Sequence, residues 1–203
     1  MKPVAGRVGV DLDNTIICYD QAFHRAAMER GWIDEAVPAR KSAVKQAILE
    51  KLDNQAWTEL QGFAYGPGLA FATPYPGVLE FFRECARRGI PACIISHKTR
   101  QAAAGPPYEL REAALRWLEE SGIGDLVGRS GGVTFADTRS AKVEAVQELG
   151  CRLLIDDLPE VFLDPSFPRG TDFILFDPDH DHQSWAASPR ASSWAEISAE
   201  VFQ

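Results

Sequence analysis

The chain has 203 residues, of which 45% are hydrophobic and 25% are charged. This composition is typical of a folded globular protein, and the length suffices for one full core together with a small inserted module. The formal net charge of -8 argues against general binding to nucleic acid, which needs clustered Lys and Arg side chains. No apolar run approaches the roughly 20 residues that cross a bilayer, and a strand pattern begins close to the N-terminus, so we expect a cytoplasmic protein without membrane association.

Short apolar runs alternate with helical patterns along most of the chain. The stretch 78–88, for example, carries Leu79, Phe82 and Ala86 at helical spacing. Because strands that alternate with helices usually pair in parallel, the pattern predicts an α/β fold whose parallel sheet is covered by helices on both faces. The predicted strands are 8–10, 90–95, 133–136, 153–155 and 173–176, and the predicted core helices are 78–88, 108–121 and 140–149.

One long stretch interrupts this alternation. Between Tyr19 and Tyr75 no strand pattern appears, whereas 21–30, 40–52 and 55–61 have helical patterns. One crossover between strands needs far fewer than these roughly 55 residues, which favours an inserted helical module over a long crossover packed on the sheet. The predicted domains are therefore a core of residues 1–18 and 76–203 and an insertion of residues 19–75.

Two carboxylates follow the first predicted strand. Asp11 and Asp13 lie two residues apart directly after an apolar run, and in an extended chain such residues point to the same side. Two carboxylates held together near a core repel each other unless a cation or a shared proton offsets their charge. The pair therefore indicates a metal site.

Polar side chains also follow two other predicted strands. Ser96 comes after the strand at 90–95, and Asp156 and Asp157 come after the strand at 153–155. In an open parallel sheet, the ligand crevice lies beyond the carboxyl ends of the strands. Acidic groups and a hydroxyl that converge there form an oxygen-rich site suited to Mg²⁺.

At these positions the sequence resembles the phosphatases of the haloacid dehalogenase (HAD) superfamily. The four motifs of that superfamily occur in order, as DLDNT at 11–15, IIS at 94–96, Lys142 within RSAKVEAV, and IDD at 155–157. The resemblance covers essentially the whole chain. It implies a Rossmann-like core, with the insertion at 19–75 in the position of the superfamily's helical cap.

The resemblance implies separate chemical roles for three side chains. Asp11 corresponds to the nucleophile that attacks phosphorus and becomes an aspartyl phosphate. Asp13 corresponds to the group that protonates the leaving alcohol and then deprotonates the attacking water. Lys142 corresponds to the positive charge that counters the negative charge spread over the phosphoryl oxygens in the transition state.

The resemblance also implies which groups hold the phosphate and the metal. The phosphoryl oxygens would be bound by Ser96, Lys142 and the backbone amides around Leu12, Asp13 and His97. Mg²⁺ would lie between the Asp11 carboxylate, the Asp13 carbonyl and the Asp156 carboxylate, with Asp157 and Thr15 supporting these groups.

The second aspartate of the first motif also bears on the type of reaction, because members of the superfamily that dehalogenate lack it. With Asp13 present, we expect a phosphomonoester hydrolase that uses Mg²⁺ and acts on a small phosphorylated metabolite such as a sugar phosphate. A nucleotidase acting on a nucleoside monophosphate is an alternative, and a non-catalytic phosphate-binding or regulatory module is another. His97 and Lys98 either meet the leaving group of the substrate or form a surface turn.

Overall fold

A six-stranded parallel sheet forms the centre of the fold. The computed structural model describes residues 6–128, 131–187 and 189–203. The strands of the sheet are β1 (Arg7–Val10), β4 (Ala92–His97), β5 (Val133–Ala136), β6 (Cys151–Asp156), β7 (Asp172–Phe176) and β8 (Arg190–Ala191). Two further short strands, β2 (Ile17–Cys18) and β3 (Thr73–Pro74), pair with each other. The order across the main sheet is β5-β4-β1-β6-β7-β8, so β1 lies between β4 and β6.

Helices connect most of these strands, and several of them pack against the sheet. They are α1 (Asp20–Glu29), α2 (Lys41–Lys51), α3 (Asn54–Ala64), α4 (Val78–Arg88), α5 (Leu110–Glu120), α6 (Ile123–Gly128), α7 (Arg139–Glu148), α8 (Pro159–Phe162) and α9 (Trp194–Phe202), together with a 3₁₀ helix at Pro67–Phe71. Helices α4, α6 and α7 contact strands of the sheet. The predicted α/β fold class is thereby confirmed.

The neighbouring strands β4, β1 and β6 have their carboxyl ends at the same edge of the sheet, where β4 extends three residues and β6 one residue beyond β1. Val10 on β1 is the register partner of Ile94 on β4 and of Ile155 on β6. All three side chains are fully buried, as expected for strands of a parallel sheet that are covered on both faces. Residues that follow β1, β4 and β6 therefore leave the sheet at one edge.

Helix α4 has the predicted bounds, but its buried face is rotated from the predicted one. Phe81, Phe82 and Cys85 are buried, whereas Ala86, which the sequence placed on the apolar face, is exposed. The difference arises because Phe81 and Phe82 pack against Trp194 of α9, with ring centroids 4.9 Å and 6.4 Å away. Since large rings bury far more apolar area than Ala, they decide which face turns inward.

By their internal contacts the described residues form two units. The first comprises the described parts of Met1–Ile16, Pro74–Lys98 and Ser121–Gln203, and it contains the main sheet. The second comprises Ile17–Thr73 and Thr99–Glu120, and it is mostly helical. The predicted insertion at 19–75 lies almost entirely within the second unit.

Residues 99–120 join the helical unit, although the sequence analysis assigned them to the core. Helix α5 contacts the 3₁₀ helix, and its buried residues include Leu110, Ala114 and Leu118. The indole Nε1 of the buried Trp117 donates a hydrogen bond to Ala72 O over 3.3 Å. Helical spacing predicts Leu110, Ala114, Leu115 and Leu118 on one face, but Leu115 is 45% exposed. Periodicity also does not state which partner a helix packs against.

The helical unit has an aromatic core of its own. The Phe23 ring stacks on the Trp57 ring at a centroid distance of 4.9 Å, and Tyr19 meets Tyr65 edge to face at 4.8 Å. Trp57 is 5% exposed and Phe23 is fully buried. These rings therefore stabilise the unit, because paired aromatic side chains bury large apolar areas in favourable geometries.

None of the four cysteines, all of which lie in the described ranges, forms a disulfide bond; Cys85, Cys93 and Cys151 are buried and Cys18 is half-buried. Within the described parts of the chain, no helix combines the length and the apolar character that crossing a membrane requires.

Candidate active site

Two aspartates meet where β1 and β6 end. The N–H of Asp11 donates to Ile155 O over 2.8 Å, which extends the pairing of these strands by one residue. Asp156 is the last residue of β6, and its Oδ1 accepts a hydrogen bond from the N–H of Leu158 over 3.0 Å. Asp11 is 5% exposed and Asp156 is fully buried. Parallel pairing thus brings together two acids that lie far apart in the sequence.

Lys142 lies between these carboxylates. Its Nζ contacts Asp11 Oδ1 and lies 2.5 Å from Asp156 Oδ2, and the residue is 1% exposed. The lysine sits in the first turns of α7, where Thr138 caps the helix: Thr138 Oγ1 accepts from the N–H of Ala141 over 3.1 Å. The N–H of Lys142 itself donates to Thr138 O over 3.0 Å. The cap therefore fixes the start of α7 and with it the position of Lys142.

The buried charges shift one another's pKa. Burial raises the pKa of Asp11 to about 7, with the nearby Asp156 and Asp13 adding to this and Lys142 opposing it. Burial disfavours the charged form of Lys142, but Asp11 and Asp156 outweigh it and hold the pKa of Lys142 above its usual value. Lys142 is therefore a permanent positive charge, and the raised pKa of Asp11 favours its protonated form.

Three carboxylates lie close enough to share one cation. Carboxylate oxygens of Asp11, Asp156 and Asp157 all lie within 4.8 Å of one another. Thr15, which is fully buried, donates from Oγ1 to Asp157 Oδ1 over 3.5 Å. Hard oxygen ligands of this kind suit Mg²⁺. Of the residues that the sequence proposed for the metal and its support, the structure brings these four together.

Asp13 has a partner that the sequence did not reveal. Asp13 Oδ2 lies 2.8 Å from Nζ of Lys98, whose side chain is 2% exposed. Lys98 is therefore not part of a surface turn, which the sequence had left open. Its neighbour His97 is exposed, and His97 Nε2 lies 3.2 Å from Asp137 O. No local pattern distinguishes Lys98 from an exposed lysine, because its burial depends on a contact with a residue 85 positions earlier.

Ser96 is buried near the end of β4 and has a side-chain oxygen without a hydrogen bond in the described part of the chain. The residue is 1% exposed, and its Oγ has no hydrogen-bond partner among the described residues. An unsatisfied buried hydroxyl costs free energy, so it is expected to serve a ligand or a water molecule. This is the position that the second motif assigns to a phosphoryl oxygen.

The turn after β1 is held by a contact from the other end of the chain. Asn14 has φ of 62°, a left-handed conformation that Asn tolerates better than most residues. Leu12 O accepts from the N–H of Ile16 over 3.0 Å, and Thr15 O accepts from Trp194 Nε1 over 3.1 Å. Leu12 and Trp194 are buried, so this turn carries the first motif on a packed support.

The acidic and histidine-rich segment after β7 is a structured loop. Asp177 is 3% exposed, and its carboxylate accepts from the N–H groups of Asp181 and His182 over 2.9 Å and 3.2 Å. Arg190 Nη1 lies 3.6 Å from Asp177 Oδ2. These bonds give Asp177 a role in shaping the loop.

No protein-family model and no curated protein matches the chain. Solved structures do match. A HAD-like family hydrolase from Streptococcus pneumoniae is 14% identical with a TM-score of 0.65, over 96% of this chain and 97% of its own. A HAD family hydrolase from Deinococcus radiodurans, with bound phosphate and sodium, is 18% identical with a TM-score of 0.60, over 96% of this chain and 94% of its own. A mutant of CbbY from Rhodobacter sphaeroides, in complex with xylulose-1,5-bisphosphate, is 14% identical with a TM-score of 0.56, over 96% of both chains.

The chain therefore has the fold of the HAD-superfamily hydrolases, as its four motifs predicted. The similarity extends over nearly the full length of each of these proteins. At these levels of identity it concerns the fold, and the chemistry must be argued from the side chains of this chain.

Proposed function

We propose that this chain is a phosphomonoester hydrolase that uses Mg²⁺ and forms an aspartyl phosphate. The observation that carries the proposal is the buried bridge of Lys142 between Asp11 and Asp156 at the carboxyl edge of the sheet. A buried ion pair is seldom the most stable way to fill a core, since apolar side chains of similar volume do so at lower cost. Buried charge clusters of this kind are typical of catalytic sites.

Asp11 is the proposed nucleophile. One of its carboxylate oxygens forms a bond to phosphorus while the bond from phosphorus to the ester oxygen breaks. Lys142 touches the same carboxylate and adds a positive charge where the phosphoryl oxygens gather negative charge. Asp13, two residues along, is the proposed donor of the proton that the leaving oxygen takes up.

Ser96 and Lys142 are the proposed side-chain ligands of the phosphoryl group. The unpartnered Ser96 Oγ is a hydrogen-bond donor that a phosphoryl oxygen satisfies. Backbone N–H groups around Leu12, Asp13 and His97 are the proposed additional donors. The hydroxyl at the end of β4 and the ammonium on α7 are thus supplied by separate elements of the same unit.

The carboxylates fit the Mg²⁺ that the HAD fold implies. Asp11, Asp13 and Asp156 would hold it, Asp13 through its backbone carbonyl, with Asp157 and Thr15 supporting them. Among the described residues, the charged side chains named above are Asp11, Asp13, Asp156, Asp157, Lys98 and Lys142, so acidic groups outnumber ammonium groups there. When bound, Mg²⁺ supplies charge neutralisation at the phosphoryl oxygens.

A small phosphorylated metabolite of the cytoplasm is the proposed substrate. The bound phosphate and the bound xylulose-1,5-bisphosphate belong to the two similar proteins, and they favour a compact phosphate ester here. The groups named above recognise the phosphoryl group alone. We assign the choice of leaving group to the helical unit, in the role of a cap, with a nucleoside monophosphate as the alternative substrate.

The test is a phosphate-release assay over a panel of sugar phosphates, other metabolite phosphates and nucleoside monophosphates with Mg²⁺ present. We expect release from at least one compound and no detectable release by Asp11→Asn, which retains the shape of the side chain but is a poor nucleophile. Asp164→Asn is the control, because Asp164 lies in the turn after α8, where an amide oxygen can replace its bond to Ser166 N–H. Activity that survives in Asp11→Asn would contradict the aspartyl-phosphate mechanism. No release by the wild type from any compound would favour a non-catalytic phosphate-binding module.

A further inference from the structure

The lysine that contacts Asp13 belongs to none of the four motifs. Lys98 directly follows β4, and its backbone N–H donates to Ala136 O on β5 over 3.2 Å. This bond continues the pairing of the two strands and fixes where the side chain begins. From there the side chain reaches Asp13, with Nζ 2.8 Å from Oδ2.

Burying this ammonium costs free energy unless a carboxylate compensates it. The side chain of Lys98 is 2% exposed, whereas that of Asp13 is 18% exposed. The ammonium end of the pair is therefore enclosed by protein, and the carboxylate end is partly exposed. A buried ammonium group that contacts a partly exposed carboxylate can hold that carboxylate in one orientation, as hydrogen-bond partners of reactive side chains do.

Lys98 and Lys142, which are both buried, each have a carboxylate partner at the site. Lys142 contacts Asp11 and Asp156, and Lys98 contacts Asp13. The two aspartates of the first motif thus each have an ammonium partner, from α7 in one case and from the end of β4 in the other.

We infer that Lys98 is a positioning residue, which holds the carboxyl group of Asp13 in the orientation from which it protonates the leaving oxygen. The inference rests on the proposed function. In the step concerned, an Asp11 oxygen bonds to phosphorus and the bond from phosphorus to the ester oxygen breaks. The ester oxygen takes the proton of the Asp13 carboxyl, and the carboxylate that remains on Asp13 faces the Lys98 ammonium. A charge-assisted hydrogen bond at this distance restricts the rotation of the carboxyl group.

The test compares two substrates that differ in their need for a proton. Phenyl phosphate releases a basic phenolate and needs protonation, whereas 4-nitrophenyl phosphate releases a phenolate that leaves readily without it. The ratio kcat/KM reports the steps up to release of the phenol, so it isolates formation of the aspartyl phosphate. Positioned proton donors contribute on the order of 10²–10⁴-fold to such steps.

We expect Lys98→Met to lower kcat/KM for phenyl phosphate by roughly 10–100-fold and that for 4-nitrophenyl phosphate by less than about threefold. Lys98→Arg, which keeps the charge and the hydrogen bond, should restore most of the loss. Arg83→Met is the control for removing a positive charge, since Arg83 is an exposed partner of Glu80. Equal losses on both substrates would overturn the inference, because a disturbed fold or phosphate site affects both alike.

A second measurement needs no activity. A double-mutant cycle of Lys98→Met and Asp13→Asn, read out by denaturant unfolding with a metal chelator present, measures the coupling of the pair. We expect the double variant to lose less stability than the two single variants together, and additive losses would overturn the inference. Should Lys98→Met not fold, Lys98→Gln takes its place in both experiments. If the wild type hydrolyses neither aryl phosphate and no compound of the metabolite panel while the cycle shows coupling, the proposed function fails, but the contact between Lys98 and Asp13 is confirmed.

Discussion

Asp11 destabilises the metal-free fold at neutral pH. Its carboxylate is 5% exposed and close to two other aspartates, and burial raises its pKa to about 7 from the ordinary 3.8. The folded protein therefore holds a proton on Asp11 at pH values where the unfolded chain has released it. The contribution of this proton to the free energy of unfolding is fully present below about pH 4 and is lost as the pH rises through 7. Such a cost is expected at a functional site rather than in an ordinary core.

This cost gives a prediction for the pH dependence of stability. In a metal chelator, the stability of Asp11→Asn relative to the wild type should rise as the pH increases from about 4 to about 7 and then level off, by up to roughly 4 kcal/mol. The reason is that Asn cannot ionise. The free energy of unfolding in urea, measured for both proteins across this range, tests the prediction. A constant difference between the two proteins would show that Asp11 titrates normally in the fold.

At the scale of single elements, helix α7 links a local sequence signal to the candidate active site. Thr138 caps the helix through Ala141 N–H, and the first turn that this cap fixes carries Lys142 to Asp11. The cap can be recognised from the sequence because Thr is a favoured residue at this position. Its consequence for the site depends on where the sheet places α7.

Removal of this cap should affect both stability and activity. We expect Thr138→Ala to lower the free energy of unfolding by about 1 kcal/mol and also to lower kcat, because Lys142 loses its fixed position. Asp53→Ala is the matched control, since Asp53 caps α3 by accepting from Ala56 N–H over 2.8 Å. It should lower stability by a similar amount without lowering kcat on an aryl phosphate. Equal effects of the two variants on kcat would show that the Thr138 cap does not position Lys142 for the reaction.

At the scale of the whole molecule, two units divide the chain. The unit that contains the sheet supplies the charged side chains named above for the site, whereas the helical unit has its own aromatic core. Because the proposed cation ligands all belong to one unit, the effect of a cation on stability can be measured without a substrate. The cooperative unfolding of that unit is the property that a bound cation changes.

We expect Mg²⁺ to raise the melting temperature of the wild type. At about one hundred times the dissociation constant, binding adds roughly 2.7 kcal/mol, which corresponds to about 5–10 °C for a chain of this size. Asp156→Asn should abolish the shift, because it removes a charge from the carboxylate group that includes Asp11 and Asp157. Asp164→Asn should keep it. A full shift in Asp156→Asn, measured by calorimetry, would place the cation elsewhere.

The sequence alone determined the features that depend on neighbours along the chain. The alternation of strands and helices, the bounds of α4 and β5, and the order of the four motifs were all predicted from local patterns. Several short elements were not, among them α6, α8 and β8, because segments of two to six residues carry too little periodicity. The sequence also predicted that Asp11, Asp156 and Lys142 meet, since strand ends and the motifs define one edge of the sheet.

The tertiary structure decided the contacts between residues that lie far apart in the sequence. It buried Lys98 against Asp13, grouped α5 with the helical unit, and brought Trp194 to the turn after β1 across 179 positions. The local sequence around Lys98 does not show whether its ammonium faces water or a carboxylate. That depends on which strands pair and in what register, because a buried charge is stable only where the fold supplies its partner.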